Sequence, residues 1–411
     1  MKFSKENLPN KISRREFLKG VGVTGGVLAV FPDELGRSDI SPERLRDEIT
    51  ERLKIAIDYL KVFELKESKY KIKIKEAYVK YENIQKHFQE IENLKRYRKY
   101  LNTFLDYINT AEDKKSGKKD EEYKYENAQF TIDATELFVS NMYFAQKIKK
   151  EYSISISGGS NEFFLADIES IHKALEIIPQ FAIKKSGFKK LNLAEPMRGA
   201  KAEMNEGEMK GLFKHGALND FYVYHELSHS FDRSFENGKD YDGWTTLNKG
   251  AEPYLHNSGR EALEDKIKNH SGEYFENKEI PGYADYFGWE GGIEEDKATV
   301  SARLLFRANQ FGVSRIENSL IPLLKRSQTD PILKRKIEFM VGHRIENGKF
   351  GTALTEQDYL DAGFPGFCYW PIWSRDENDK TWMDATYFNA ILEGKKVRFL
   401  EENGRVIREI S

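Results

Sequence analysis

Between residues 41 and 110, a stretch rich in lysine and glutamate, apolar residues recur at spacings of three and four. The first set is Leu45, Ile49, Leu53, Ile57 and Leu60, and the second is Ile84, Phe88, Ile91 and Leu94. This spacing places apolar side chains on one face of an amphipathic helix. Ser41 followed by Pro42 is typical of a helix N-cap and the first helical position. The pattern predicts a helical hairpin or small bundle whose charges form a solvated face.

The pattern changes at residues 110–123, which are charged, contain a glycine and have no apolar period, as in a loop or linker. From there to about residue 330, short strand-like runs such as 153–157 mix with helical segments such as 168–178. Near the end, Asn403-Gly404 separates two strand-like runs within 397–410, which predicts a β-hairpin. The chain is therefore predicted to be α+β and predominantly helical.

Composition narrows the classes of function. The chain has 411 residues, of which 65 are basic and 67 acidic, and the resulting net charge of −2 gives no electrostatic reason to expect nucleic-acid binding. Aromatic residues make up 13%, enough for a folded core. The single cysteine, Cys368, excludes both an internal disulfide and a cysteine-rich zinc site. A metal site in this chain must therefore use histidine and carboxylate ligands.

Near the start, residues 13–19 (Ser-Arg-Arg-Glu-Phe-Leu-Lys) precede an uncharged, glycine-rich run at 20–31, the layout of a secretory signal. The run is shorter than the roughly 20 residues that span a bilayer. With its paired Arg14 and Arg15, the segment resembles the twin-arginine export signal. That resemblance implies export by the twin-arginine translocation machinery to the periplasm, cell surface or exterior. No clean Ala-x-Ala precedes Pro32, so contact with the membrane through an uncleaved signal stays open.

The strongest chemical signal is the sequence from His225 to His229, His-Glu-Leu-Ser-His. Residues four apart lie on one face of a helix, so His225 and His229 can offer two imidazoles to one metal ion. Glu226 lies beside the first histidine, where it can take a proton from a metal-activated water. The pattern predicts a Zn²⁺ site with Glu226 as general base.

A catalytic zinc normally has three protein ligands and one open position. One class of zinc peptidases takes the third ligand six residues after the second histidine, but this chain has Phe235 there, and Asp232 where that class has glycine. That class is therefore excluded. Asp232 can instead orient a ligand imidazole through a hydrogen bond, or simply form a salt bridge at the surface.

An acidic cluster downstream supplies the alternative third ligand. Glu295 shares a predicted helical face with three small residues, which would let its helix approach the histidine helix closely: Ala298, Thr299 and Ala302. Glu290, Glu294 and Asp296 compete with Glu295 for this role.

Residues 191–343 resemble the glutamate-type zinc peptidases (gluzincins) related to anthrax lethal factor and the Pro-Pro endopeptidases. The shared pattern is His-Glu-x-x-His, then a tyrosine-containing loop, here 281–288, then Glu-Asp-x-Ala, here 295–298. The resemblance implies a zincin-like fold, zinc ligation by Glu295, and a loop tyrosine that donates to the developing oxyanion. We assign that tyrosine to Tyr286, which lies two residues further from the glutamate than in the family, with Tyr283 as the alternative.

These features predict four parts: a twin-arginine signal peptide (1–38), a helical N-terminal region (40–115), a zincin-like metallopeptidase domain (120–345) and a C-terminal extension (346–411). The predicted function is that of an exported zinc metallopeptidase that cleaves a peptide or protein substrate. Two alternatives remain: an inactive zincin-fold binding protein at the cell surface, and a zinc hydrolase acting on a non-peptide substrate.

Overall fold

The computed structural model describes most of the chain from residue 40 onward. The described residues are 40–66, 71–113, 121–194, 202–214, 219–234, 240–251, 253–254, 280–284, 288–289, 291–305, 320–363, 383–402 and 405–411. Several sequence predictions fall outside these ranges, among them those for Arg14, Arg15, Tyr286 and Glu290. Asp232 lies in a described helix, but its side chain is outside the described part.

The fold is predominantly helical, with small sheets, in agreement with the α+β prediction. Its first half contains α1 (Pro42–Lys66), α2 (Lys71–Glu90), a 3-10 turn (Leu94–Tyr97), α3 (Arg98–Asp113), α4 (Glu121–Tyr152), β1 (Ser155–Gly158), α5 (Ser160–Leu165), α6 (Ile168–Glu176), α7 (Gln180–Lys185), β2 (Lys190–Leu193), β3 (Ala202–Asn205) and β4 (Glu208–Gly211). The second half contains α8 (Asn219–Ser234), α9 (Asp240–Leu247), α10 (Ile293–Leu305), α11 (Leu320–Ser327), α12 (Pro331–Val341), β5 (His343–Glu346), β6 (Lys349–Ala353), α13 (Glu356–Asp361), α14 (Ala385–Leu392), β7 (Val397–Glu402) and β8 (Arg405–Ile410).

The N-terminal helices form a bundle in which α1 and α2 pack on the long helix α4. All five apolar residues predicted for α1 are buried, and the Ser41 hydroxyl accepts a hydrogen bond from the backbone N–H of Arg44, as expected of an N-cap. The second predicted helix is interrupted, because α2 ends at Glu90. The Gln146 side chain bonds to both backbone ends of the break, accepting from the N–H of Glu92 and donating to the carbonyl of Glu90, each at 2.9 Å.

A four-stranded sheet with the strand order β1-β2-β4-β3 follows the bundle. β1, β2 and β4 are parallel, and β3 pairs antiparallel with β4. The turn between β3 and β4 consists of Glu206 and Gly207, whose φ angles are 48° and 79°. Two positive φ values suit the tight turns that join antiparallel strands, and a Cβ on Gly207 would lie only 2.3 Å from the carbonyl oxygen of Gly187.

Helix α8 packs against α6 and α10 and against β3 of the sheet. A continuous hydrophobic core runs from Leu45 in α1 to Val397 in β7. A second, smaller cluster consists of Tyr254, Ile280, Tyr283 and Trp289. The predicted terminal hairpin is confirmed as β7 paired with β8, from Val397 opposite Ile410 to Glu402 opposite Arg405. Among the described helices, none is both long enough and apolar enough to span a membrane.

Candidate metal centre

His225 and His229 lie one turn apart on α8, as their spacing predicts. Their Nε2 atoms are 3.1 Å apart, and the planes of the two rings are nearly perpendicular, at 81°. Tyr224 and Leu227 of the same helix are buried in the main core and hold α8 against its neighbours. Phe221, one turn before His225, lies roughly parallel to its ring at 6.2 Å between centroids. Both imidazoles are largely buried, with side-chain exposures of 13% and 11%.

Glu295 approaches the two histidines from α10. One carboxylate oxygen lies 2.9 Å from Nε2 of His225, and the other lies 3.3 Å from Nε2 of His229. Three small residues that follow Glu295 are almost fully buried where α10 packs along α8: Ala298, Thr299 and Ala302. The close helix contact expected from these small side chains is therefore present.

The three side chains suit a divalent metal ion. Among the described residues, they form a group of histidine and acidic side chains close enough together to hold a metal. Ligands of a tetrahedral zinc at about 2.0–2.1 Å would lie about 3.3 Å from one another, close to the 2.9 to 3.3 Å found here. Two imidazole nitrogens and a carboxylate are also a donor set that catalytic zinc uses. The residues present therefore fit the predicted ion.

The carboxylates of the site differ in their electrostatics. Burial acts to raise the pKa of Glu295, but hydrogen bonds and charges from His225 and His229 outweigh it, so the pKa lies well below its usual range. Burial raises the pKa of Glu226, which the neighbouring histidines only partly counteract. The backbone N–H of Met204 in β3 also donates a hydrogen bond to Glu226. Sequence reasoning missed Met204, because strand pairing and helix packing bring it to α8.

The competing acidic residues occupy different surroundings. Glu294 is exposed. Asp296 is fully buried, and its Oδ2 accepts hydrogen bonds from three side chains away from the histidines: Trp244, Tyr254 and Lys336. These four residues are called the Asp296 cluster below. Sequence reasoning missed this cluster, although Lys336 gave a signal, since it falls on the same helical face as the apolar residues Leu333, Ile337 and Met340.

Beyond the three proposed ligands, the groups that bear on the site are the second ring nitrogen of His225, the loop tyrosines and Asp232. The Nδ1 atom of His225 is buried, and the described residues supply no hydrogen-bond partner for it. Tyr283, the alternative oxyanion donor, is fully buried with its ring 4.1 Å from the amine of Lys336. Tyr286 and the side chain of Asp232 lie outside the described residues.

Comparisons with known proteins return no match: no family model, no curated protein and no solved structure is similar to this chain at a significant level.

Proposed function

We propose that this chain is an exported, zinc-dependent peptidase with a zincin-like catalytic domain. The observation that carries the proposal is the convergence of His225, His229 and Glu295, whose donor atoms lie 2.9 to 3.3 Å apart. Glu226 adds support, because a general base beside the site serves catalysis and has no use in a binding protein. Export rests on the resemblance of residues 13–19 to the twin-arginine signal.

His225, His229 and Glu295 would hold the metal. When bound, zinc supplies a Lewis acid and lowers the pKa of a water molecule from roughly 15.7 to about 7. Glu226 takes a proton from the attacking water on a carboxylate oxygen and later delivers it to the leaving amine. The N–H of Met204 holds the Glu226 carboxylate in position for both transfers. Burial of Glu226 limits competition from bulk water for that proton.

The position of β3 favours a peptide over other substrates. Among the described strands, β3 lies at one edge of the four-stranded sheet, where it pairs with β4 and packs against α8. An extended peptide can bind as an additional strand at the edge of a sheet, and a peptide bound along β3 would pass close to Glu226. A non-peptide substrate would make no use of this edge.

The test is cleavage of a mixed peptide library by the full chain, followed by mass spectrometry. We expect cleavage that a chelator abolishes and added zinc restores. Glu226→Gln should keep the metal but lose activity by about 100-fold or more, the usual contribution of a general base.

Three other results would change or refute the proposal. Bound zinc without cleavage of any peptide would favour a binding protein or a non-peptide hydrolase. Undiminished turnover in Glu226→Gln would refute the assigned base. Absence of metal in the wild-type protein after zinc is offered would refute the metal centre itself.

A further inference from the structure

Asp296 follows Glu295 directly in α10, and both of its oxygens are buried. Its Oδ2 accepts hydrogen bonds from Nε1 of Trp244 at 2.8 Å, from the hydroxyl of Tyr254 at 2.9 Å and from Nζ of Lys336 at 2.6 Å. Three donors on one oxygen leave the Asp296 side chain little freedom to rotate. They also come from three different parts of the chain: α9, the segment that follows it, and α12.

Helix geometry couples this arrangement to Glu295. Successive residues of an α-helix project about 100° apart around its axis, so Glu295 and Asp296 face different neighbours. Glu295 faces the histidines of α8, whereas Asp296 faces α9 and α12. The hydrogen bonds of Asp296 therefore determine how α10 is rotated at its first turn, and this rotation determines where the Glu295 carboxylate lies.

Lys336 extends the same arrangement to residues 280–284. Besides its bond to Asp296, its amine donates to the carbonyl of Gly282 at 2.5 Å and lies over the ring of Tyr283. Asp330 accepts the N–H of Gly282 at 2.6 Å, and Arg326 donates to the carbonyls of Ile280, Tyr283 and Ala284. Lys336 therefore bonds both to Asp296 and to the loop that leads toward α10.

We propose that Asp296 is a positioning residue for the metal ligand Glu295, and that Trp244, Tyr254 and Lys336 act through it. The inference rests on the proposed metal centre, but it concerns residues that do not contact the metal. The Asp296 cluster holds the Glu295 carboxylate in place before a metal binds, which lowers the entropic cost of binding.

Stability and positioning can be separated experimentally. Removing one partner of a buried ion pair is strongly destabilising, whereas replacing both partners by apolar residues is often neutral or stabilising. The double variant Asp296→Ala, Lys336→Met removes both charges and so avoids an unpaired buried charge, although it also removes the acceptor for the hydrogen bonds from Trp244 and Tyr254. It should therefore stay folded, with a lower melting temperature than wild type, while lacking the hydrogen bonds that orient α10.

The experiment measures zinc affinity of the full chain by competition with a chromophoric chelator, and the visible absorption spectrum of the Co²⁺ form. Relative to wild type, we expect the double variant to bind zinc about tenfold or more weakly, as when outer partners of metal ligands are lost. The Co²⁺ spectrum should also change, because it reports the ligand geometry, and circular dichroism checks that the variant is folded.

A milder pair of variants covers the case in which the double variant does not fold. Tyr254→Phe removes the hydrogen bond from Tyr254 to Asp296, together with the one that its hydroxyl accepts from Asn248. Tyr387→Phe is the control, because Tyr387 is also buried but its hydroxyl donates to the carbonyl of Ile177, in a different part of the core. We expect weaker zinc binding in Tyr254→Phe only.

The outcomes separate this inference from the proposed function. Wild-type affinity and an unchanged Co²⁺ spectrum in the folded double variant, or in Tyr254→Phe, would overturn the inference and leave the metal centre intact. A wild-type protein that binds neither Zn²⁺ nor Co²⁺ would overturn both.

Discussion

The carboxylate of Glu295 lies 2.9 Å from Nε2 of His225, although the two residues are separated by 70 positions in the sequence. Each of them lies in a helix whose apolar side is packed into the core, so the contact is set by helix packing. A carboxylate that faces two histidines at this distance is the basis of the proposed metal site.

Substitution of Glu295 tests the third ligand directly. Glu295→Ala should weaken zinc binding by more than about 100-fold, beyond the range for residues that only support a ligand. Glu294→Ala is a matched control, because it removes an exposed carboxylate one residue away. Elemental analysis and chelator competition measure both variants. Equal losses in the two, or loss in Glu294→Ala alone, would mean that the ligand is misassigned.

Removal of the Lys336 amine should destabilise the protein. Burial raises the pKa of Asp296 and lowers that of Lys336, so each group depends on the other to stay charged. Lys336→Met leaves the Asp296 carboxyl buried without its cation, which we expect to cost about 3–5 kcal/mol in the free energy of unfolding. Urea denaturation measures it. A cost below about 1 kcal/mol, the usual range for an exposed pair, would show that this pair contributes little.

Asn141 is predicted to be essential for the junction between α4 and α6. Its side-chain amide donates to the carbonyls of Phe163 and Ala166, and its carbonyl accepts from the N–H of Ile168. Asn141→Ala leaves three backbone groups unsatisfied, each costing about 1–3 kcal/mol if buried. The control Asn83→Ala, at an exposed position of α2, should change stability by less than about 0.5 kcal/mol. Similar melting temperatures for the two variants would contradict this role.

Tyr97 should make the protein less stable at alkaline pH. Its hydroxyl is buried without a hydrogen-bond partner among the described residues, and burial raises its pKa to about 12. The folded protein therefore keeps the phenolic proton to higher pH than the unfolded chain, whose tyrosine titrates near pH 10. The stabilisation is complete below about pH 10 and is lost as the pH rises from about 10 to 12.

For this single residue, the loss by pH 11 amounts to about 1.4 kcal/mol. Tyr97→Phe should be near neutral at pH 7, because no hydrogen bond is removed, and should reduce the alkaline loss by that amount. Urea denaturation at pH 7, 10 and 11 measures the difference. Parallel pH profiles for wild type and variant would exclude this contribution from Tyr97.

The elements that sequence predicted well are those with a strong local pattern. The apolar face of α1 and the β7–β8 hairpin both follow from residues close together in the chain. The break between α2 and α3 does not follow from nearby residues, because it depends on Gln146, more than 50 positions away. The parallel pairing of β1, β2 and β4 was missed for the same reason, since these short strands meet only through long connections.

In the metal centre, too, some features follow from the local sequence and others depend on contacts between distant parts of the chain. Helix periodicity alone places His225 and His229 together, and four acidic residues were then possible third ligands. The choice among them depends on which face of α10 meets α8, and small residues on that face gave a usable indication for Glu295. Nothing in the local sequence pairs Asp296 with Lys336, because that contact joins two helices 40 positions apart.

The burial of Lys336 offers a way to measure local opening of the folded protein. Its amine has no exposed surface and is bonded to both Asp296 and Gly282, so an amine-reactive reagent can reach it only when α10 and α12 separate. Exposed lysines such as Lys61 would be labelled at once. The rate at which Lys336 is labelled would therefore report how often the region behind Glu295 opens in solution.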